Sequence, residues 1–154
     1  MEEAIRSHDI ETVVAALRTG TSANGETTTG MPLLEFAALL GQINIVRALI
    51  EAGADVNQRG QLGSTALMAA ASLGQGLVVR VLLEHGADPD VVDYEGKISS
   101  RPIWHSVFSA DSDLDTLRAL IDGGADTAGV DEHGMSLSDW ATPAQREVLR
   151  RAQR

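Results

Sequence analysis

The sequence predicts an all-α solenoid in which short helix-turn-helix units stack side by side. Two glycine ladders share one interval of 33 residues: Gly20, Gly53 and Gly86, and Gly30, Gly63 and Gly96. A fixed period of this size is typical of stacked repeat arrays. Aromatic residues make up only 3% of the chain, so the core must be built from Ala, Leu, Val and Ile. Such a core suits small helices that pack closely.

The ladders divide the chain, residues 1–154, into one domain of five units. The units span about 1–25, 26–58, 59–91, 92–129 and 130–154, and the last is predicted to close the array as a cap. The fourth unit is longer, because Gly124 follows Gly86 by 38 residues. Five residues are therefore inserted there, about three of them (98–100) before the first helix of the unit and two in the loop that follows that helix.

The third unit shows how the sequence forms each helix pair. Thr65 is a good N-cap for a first helix that ends near Ser72, because its hydroxyl accepts a hydrogen bond from the first turn. Residues 77–85 form a second helix with apolar residues at helical spacing. Gly74 and Gly86 end the two helices, since glycine adopts the left-handed conformation without a steric clash.

The other units follow the same order. The first has a shortened opening helix and then a helix over Ile10–Leu17. In the fourth, Pro102 begins the first helix and the second begins near Asp113. In the last unit Thr142 caps a closing helix that starts at Pro143, where proline is favoured.

Two segments of the second unit carry a family resemblance. One reads Leu34-Glu35-Phe36-Ala37-Ala38-Leu39-Leu40-Gly41 and the other Gly53-Ala54-Asp55-Val56-Asn57. In this register the chain resembles the ankyrin repeat family, whose unit is a β-turn followed by two antiparallel helices. The resemblance extends over nearly the whole chain.

The resemblance implies a protein-binding module with a concave face, lined by the turn tips and the first helix of each unit. The positions expected to contact a partner are Met31, Leu39, Leu40, Arg59, Leu62, Leu73, Tyr94, Glu95, Trp104, Phe108, His133 and Met135. Many of them are apolar, and exposed apolar patches mark interaction sites. We expect a monomer, or a weak homodimer that uses the same patch.

The net charge of −10 is concentrated in one part of the chain. Residues 84–139 contain 13 acidic residues and only three basic ones, Lys97, Arg101 and Arg118. Such a segment repels a phosphate backbone, so the sequence argues against nucleic acid as a ligand. It would attract a basic protein partner. Alternatively, the acidity only keeps the array soluble.

Several function classes lack support in the sequence. The chain has no cysteine, which excludes disulfides and thiolate metal sites. It shows no leader peptide and no apolar run long enough to span a bilayer, so we expect a cytoplasmic protein without membrane contact. Nucleophile, phosphate-loop and dinucleotide motifs are missing too. The sequence therefore predicts neither an enzyme nor a cofactor or metal requirement.

One segment resembles the start of a calcium-binding EF-hand loop. It reads Asp111-Ser112-Asp113-Leu114-Asp115, but Thr116 stands where that loop requires glycine. Alternatively, Ser112 or Asp113 caps the helix that follows.

Three functions agree with these observations. Small ankyrin proteins of bacteria, to which this chain is similar, act as inhibitors, immunity proteins or accessory factors of a neighbouring enzyme or toxin. A passive scaffold in a larger assembly is the first alternative. The second is a regulator that responds to calcium or a small molecule through the Asp111–Asp115 loop.

Overall fold

A computed structural model describes residues 1–109 and 114–152. Within these two stretches it contains ten α-helices: α1 (Glu2–Arg6), α2 (Ile10–Arg18), α3 (Leu33–Leu39), α4 (Ile43–Glu51), α5 (Ala66–Ser72), α6 (Gly76–Glu84), α7 (Pro102–Phe108), α8 (Leu114–Asp122), α9 (Leu137–Trp140) and α10 (Pro143–Ala152). Isolated antiparallel bridges join Glu26 to Pro32 and Val130 to Ser136 in two of the turns. The predicted all-α solenoid is confirmed.

The helices form two layers. The odd-numbered helices pack in the order α1, α3, α5, α7, α9, and the even-numbered helices in the order α2, α4, α6, α8, α10. Within each unit the odd-numbered helix also packs against the even-numbered helix that follows it, from α1 with α2 to α9 with α10. Each unit therefore touches mainly its neighbours, as in other repeat arrays.

The core lies between the two layers and changes character along the stack. In α3 and α5 it is built on paired alanines, Ala37-Ala38 and Ala70-Ala71, all fully buried. Small side chains at these positions let the helices approach closely. In α7 the corresponding contacts are made by larger residues, and Trp104 is 0% exposed.

Glycine, alanine and aspartate follow the second helix of the second, third and fourth units. Gly53, which follows α4, has a φ of +88°, a left-handed conformation that favours glycine. The next residue, Ala54, is buried, and Asp55 Oδ1 accepts the Asn57 N–H at 2.9 Å. This local hydrogen bond holds the chain in a turn. The segments beginning at Gly86 and Gly124 repeat the arrangement.

Asparagine side chains join successive turns. Asn57 Nδ2 donates to the Gly86 carbonyl at 3.0 Å, and its Oδ1 accepts the Asp88 N–H at 2.8 Å. Asn24 makes the same pair of bonds to Gly53 and Asp55. One side chain thus satisfies a donor and an acceptor of the next unit.

Two predicted helix caps are confirmed. Thr65 Oγ1 accepts the Met68 N–H at the start of α5, and Thr142 Oγ1 accepts the Gln145 N–H at the start of α10, both at 3.3 Å. Gln145 is itself fully buried and its Oε1 accepts the Thr142 N–H. The two residues therefore fix the angle at which the chain enters α10.

In the long fourth unit, Ile98–Ser100 forms a short 3-10 turn before α7, and Pro102 is the first residue of that helix, as predicted. The other two inserted residues were predicted in the loop 109–112, of which 110–112 lie outside the described residues. Three residues of the Asp111–Asp115 segment lie there as well, so the predicted calcium loop is not tested.

Candidate partner-binding face

The turns and the odd-numbered helices present one exposed surface, which we call the turn face. It comprises the turn tips around Leu62, Tyr94 and Met135 and the exposed ends of α3, α5 and α7. Leu62 is 83% exposed and Tyr94 is 66% exposed, so two large apolar side chains point into solvent from neighbouring turns. The turn face corresponds to the predicted concave face.

The backbone at Leu62 is strained. Its φ is +62°, a left-handed conformation that costs a residue with a Cβ about 1–2 kcal/mol. The neighbouring turn holds it there, because the Tyr94 N–H donates to the Leu62 carbonyl at 3.1 Å. Gly63 permits this approach, since a Cβ on it would lie 2.7 Å from the Tyr94 nitrogen. Strain of this kind is concentrated at functional sites.

Polar side chains link the turn tips in a row. Gln61 Nε2 donates to the Thr29 carbonyl, and an Arg59 guanidinium nitrogen donates to the Val92 carbonyl, both at 2.8 Å. The Arg59 guanidinium also lies 5.5 Å from the Tyr94 ring centroid. Glu95 forms an ion pair with Lys97. These contacts orient the exposed side chains of the turns.

An aromatic pair lies at the C-terminal end of the turn face. The rings of Phe108 and Trp140 pack edge to face with their centroids 5.4 Å apart, and each side chain is about half exposed. Trp140 Nε1 donates to Asp131 Oδ2 at 2.9 Å. Sequence reasoning missed Trp140, although a tryptophan in a chain with so few aromatics was a usable signal.

The structure sorts the predicted contact residues into three groups. Exposed are Leu40, Arg59, Leu62, Leu73, Tyr94, Glu95, Phe108, His133 and Met135, while Met31 and Leu39 are half-buried. Trp104 belongs to the core, so the prediction that it lies on the binding surface is wrong. The insertion obscured the register of α7. Trp104 is the third residue of that helix, as Met68 is of α5, and Ser106 and Val107 stand where α5 has its alanine pair.

A groove of about 300 Å³ crosses the turn face between α3, α5 and α7. Its lining residues are Glu35, Leu39, Leu62, Ser64, Met68, Ala69, Ser72, Asp93, Ser100 and His105. A smaller cavity of about 180 Å³ lies beside it and shares Glu35 and Ser64. We call the larger cavity the turn-face groove. Sequence reasoning placed Leu39, Leu62 and the acidic rim residue Asp93 on this surface but missed Glu35 and His105.

Glu35 is a carboxylate at an otherwise apolar position. It is 5% exposed, and its Oε2 has no hydrogen-bond partner. Burial raises the pKa of this carboxyl, and the nearby Ser64 hydroxyl opposes the rise only in part. That hydroxyl lies 3.0 Å from the Gln61 carbonyl as well, so its single proton is shared between two acceptors.

His105 lines the groove from α7. Burial lowers its pKa, while the Ser100 backbone and the charge of Asp93 act in the opposite direction. The net lowering favours the neutral imidazole at neutral pH. His105 therefore adds no positive charge that would offset the carboxylates of the groove.

A cavity of about 480 Å³ between α8 and α10 is larger but less suited to a ligand. Two of its basic side chains already contact acids: Arg151 lies 2.8 Å from Glu147, and Arg118 lies 3.3 Å from Asp115. Both of these arginines are therefore already paired with an acidic residue and are less free to bind a ligand.

The described residues form no further site of two other kinds. Within the described parts of the chain, no three His, Asp or Glu side chains are grouped so as to hold a metal ion. None of the ten helices described here has the length and apolar character needed to cross a membrane.

Comparison with known proteins adds a family match. A family model described as ankyrin repeats (3 copies) matches residues 1–93, more than half of the chain. No curated protein matches the chain.

Proposed function

The chain belongs to the ankyrin repeat family, and we propose that it binds a partner protein through its turn face. Ankyrin repeats are generally protein–protein interaction modules and are typically non-catalytic. The observation that carries the proposal is the exposed pair Leu62 and Tyr94. One of these residues is strained, and their turns are fixed to each other by a backbone hydrogen bond.

The charge distribution favours a basic partner. Glu95, Asp93 and Glu132 lie in the turns beside the exposed apolar side chains, within the acidic part of the chain. Complementary charge accelerates association and excludes acidic competitors. An apolar centre with a polar rim is also the usual composition of a protein interface.

We further propose that the chain acts as an inhibitor, immunity protein or accessory factor of that partner. A partner held across several turns loses the surface that it presents to them. Its own ligand or substrate is then excluded by steric overlap, and the ankyrin chain needs no chemistry of its own.

A pair of charge-insertion variants tests the binding face. Leu62→Asp with Leu73→Asp introduces charge on the turn face, and aspartate tolerates the left-handed conformation at residue 62. Leu77→Asp introduces the same residue on α6, in the other helix layer, where Leu77 is likewise exposed. We expect immobilised parent and Leu77→Asp chains to capture the same partner, and the double variant to lose it.

Each variant must first show the parental circular dichroism spectrum and unfolding midpoint. A partner that the double variant retains and Leu77→Asp loses would move the binding site to the even-numbered helices. That result would contradict the proposal.

A further inference from the structure

The turn-face groove contains a buried carboxyl group with an unpartnered oxygen. Glu35 Oε2 is buried and without a hydrogen-bond partner, and Asp93 adds a second carboxylate to the lining. An ionised carboxylate removed from water is costly unless a cation or several donors face it. The Ser64 hydroxyl, shared with the Gln61 carbonyl, supplies little of that compensation.

No lysine or arginine among the described residues lines the groove. Arg59, on an adjacent turn, instead contacts the Val92 carbonyl and the Tyr94 ring. Lys97 is paired with Glu95 and acts on Asp93 only through its charge, so no cation of the described residues faces Glu35.

Apart from the serines and His105, the remaining lining residues of the groove are apolar. Leu39 from α3, Met68 from α5 and Leu62 from the turn surround the carboxylates, and Leu39 and Leu62 keep part of their surface exposed. A lysine or arginine side chain combines an aliphatic stem with a charged head, and it packs its methylenes on apolar surface while the head seeks polar partners. The groove matches that combination.

We propose that the turn-face groove receives one lysine or arginine side chain of the partner, with its cationic head at Glu35. This inference rests on the proposed function and names the chemistry that the face recognises. The stem lies against Leu39, Leu62 and Met68, and Asp93 adds attraction from the side of the turn. The groove makes the partner's basic side chain an anchor of the interface rather than a rim contact.

Small analogues of the anchor test the groove without the partner. The probe is N-acetyl-arginine methylamide, and the matched control ligand is N-acetyl-citrulline methylamide, which has the same shape without charge. We expect the arginine probe to shift the backbone amide signals of Ser64, Met68 and His105 in a saturable NMR titration. Binding should be on the order of millimolar, and citrulline should give no saturable shift. Equal shifts with both ligands would overturn the proposal.

Glu35→Gln replaces the carboxyl group with a neutral amide of almost the same shape. Glu26→Gln is the matched control, because Glu26 is exposed in the turn that precedes α3. We expect Glu35→Gln to weaken arginine binding about tenfold or more, since hydrogen bonds to charged groups are worth about 1.5–3 kcal/mol. Glu26→Gln should bind as the parent does. A Glu35→Gln chain with a native amide spectrum and parental arginine affinity would contradict the assignment.

The captured partner separates this inference from the proposed function. If Glu35→Gln binds the partner as tightly as the parent while Leu62→Asp with Leu73→Asp loses it, the turn face binds but the groove holds no cation. If the double variant also retains the partner, the turn-face proposal itself fails. Loss of the partner in both variants supports both proposals.

Discussion

The joints between units differ between the two ends of the stack. Asn24 and Asn57 each donate to a glycine carbonyl and accept an aspartate N–H of the next unit. Asp90 occupies the same place at the third joint and accepts the Asp126 N–H at 2.9 Å. A carboxylate has no proton to donate, so the second bond of the pair is missing there.

An arginine partly replaces that bond. A guanidinium nitrogen of Arg101 lies 3.2 Å from Asp126 Oδ2 and 4.0 Å from Asp90 Oδ1. Arg101 directly precedes α7, next to the inserted 3-10 turn. The N-terminal joints are therefore made by neutral hydrogen bonds and the third joint by charges. Salt weakens the second kind of link more than the first.

The helix interfaces also differ between the two regions. In α3 and α5 fully buried alanine pairs make the contact, whereas α7 has Ser106 and Val107 at those positions and buries one large ring, Trp104. The buried surface of α7 is therefore concentrated in a single side chain.

Removing Trp104 is the largest expected perturbation. Trp104→Ala leaves a cavity in the core and should lower the free energy of unfolding by about 3–5 kcal/mol. Urea unfolding followed by circular dichroism measures the change. Trp140→Ala is the matched control, because that ring is about half exposed and its N–H donates to the Asp131 carboxylate. Its loss should cost less, about 1.5–3 kcal/mol, the value of a hydrogen bond to a charged group. Equal losses in the two variants would show that the interface of α7 does not depend on the buried ring.

Exchanging the joint residues gives a smaller effect. Asn57→Asp removes the donor to the Gly86 carbonyl and places a carboxylate against it, so we expect a loss of about 1–2 kcal/mol. Urea unfolding at low and high salt measures it.

The reciprocal variant, Asp90→Asn, restores a donor at the third joint. It should leave stability unchanged or raise it by up to about 1 kcal/mol, and it should make unfolding less dependent on salt. A loss in Asp90→Asn as large as that in Asn57→Asp would mean that the Arg101 link is worth as much as the neutral bond pair.

The period of the sequence was enough to predict the fold. Gly53 and Gly86 end helices in the left-handed conformation as expected, because only local backbone geometry decides that role. Trp104 was placed wrongly since the insertion interrupts the ladder just before α7. With the register lost, an aromatic side chain can face either the core or the solvent.

Glu35 could not be placed by local pattern either. A carboxylate within the apolar run 32–38 was a visible signal, but its burial depends on the next unit. Gly60, 25 residues further on, lies so close that a Cβ there would come within 2.4 Å of Glu35 Oε2. Such contacts arise only from the packing of one turn on the next.

The pH dependence of stability at Glu35 is the smallest effect and links the groove to the fold. Burial raises the folded-state pKa of Glu35 above its ordinary value of 4.5, so the folded protein binds the proton more tightly than the unfolded chain. The protonated Glu35 contributes its full share to the free energy of unfolding below pH 4.5, and this contribution is lost as the pH rises through the folded-state pKa. Glutamine does not titrate, and Glu35→Gln should therefore gain stability relative to the parent as the pH rises toward 7.

Thermal unfolding of the two chains between pH 4 and pH 8 measures that gain, which should shrink as the pH falls. Glu51→Gln, at an exposed position of α4, removes the same charge and should show no such trend. A gain that stays constant across this range would mean that Glu35 ionises as readily in the folded chain as in the unfolded one. The groove would then hold its carboxylate at little cost, and a partner's cation would recover less free energy on binding there.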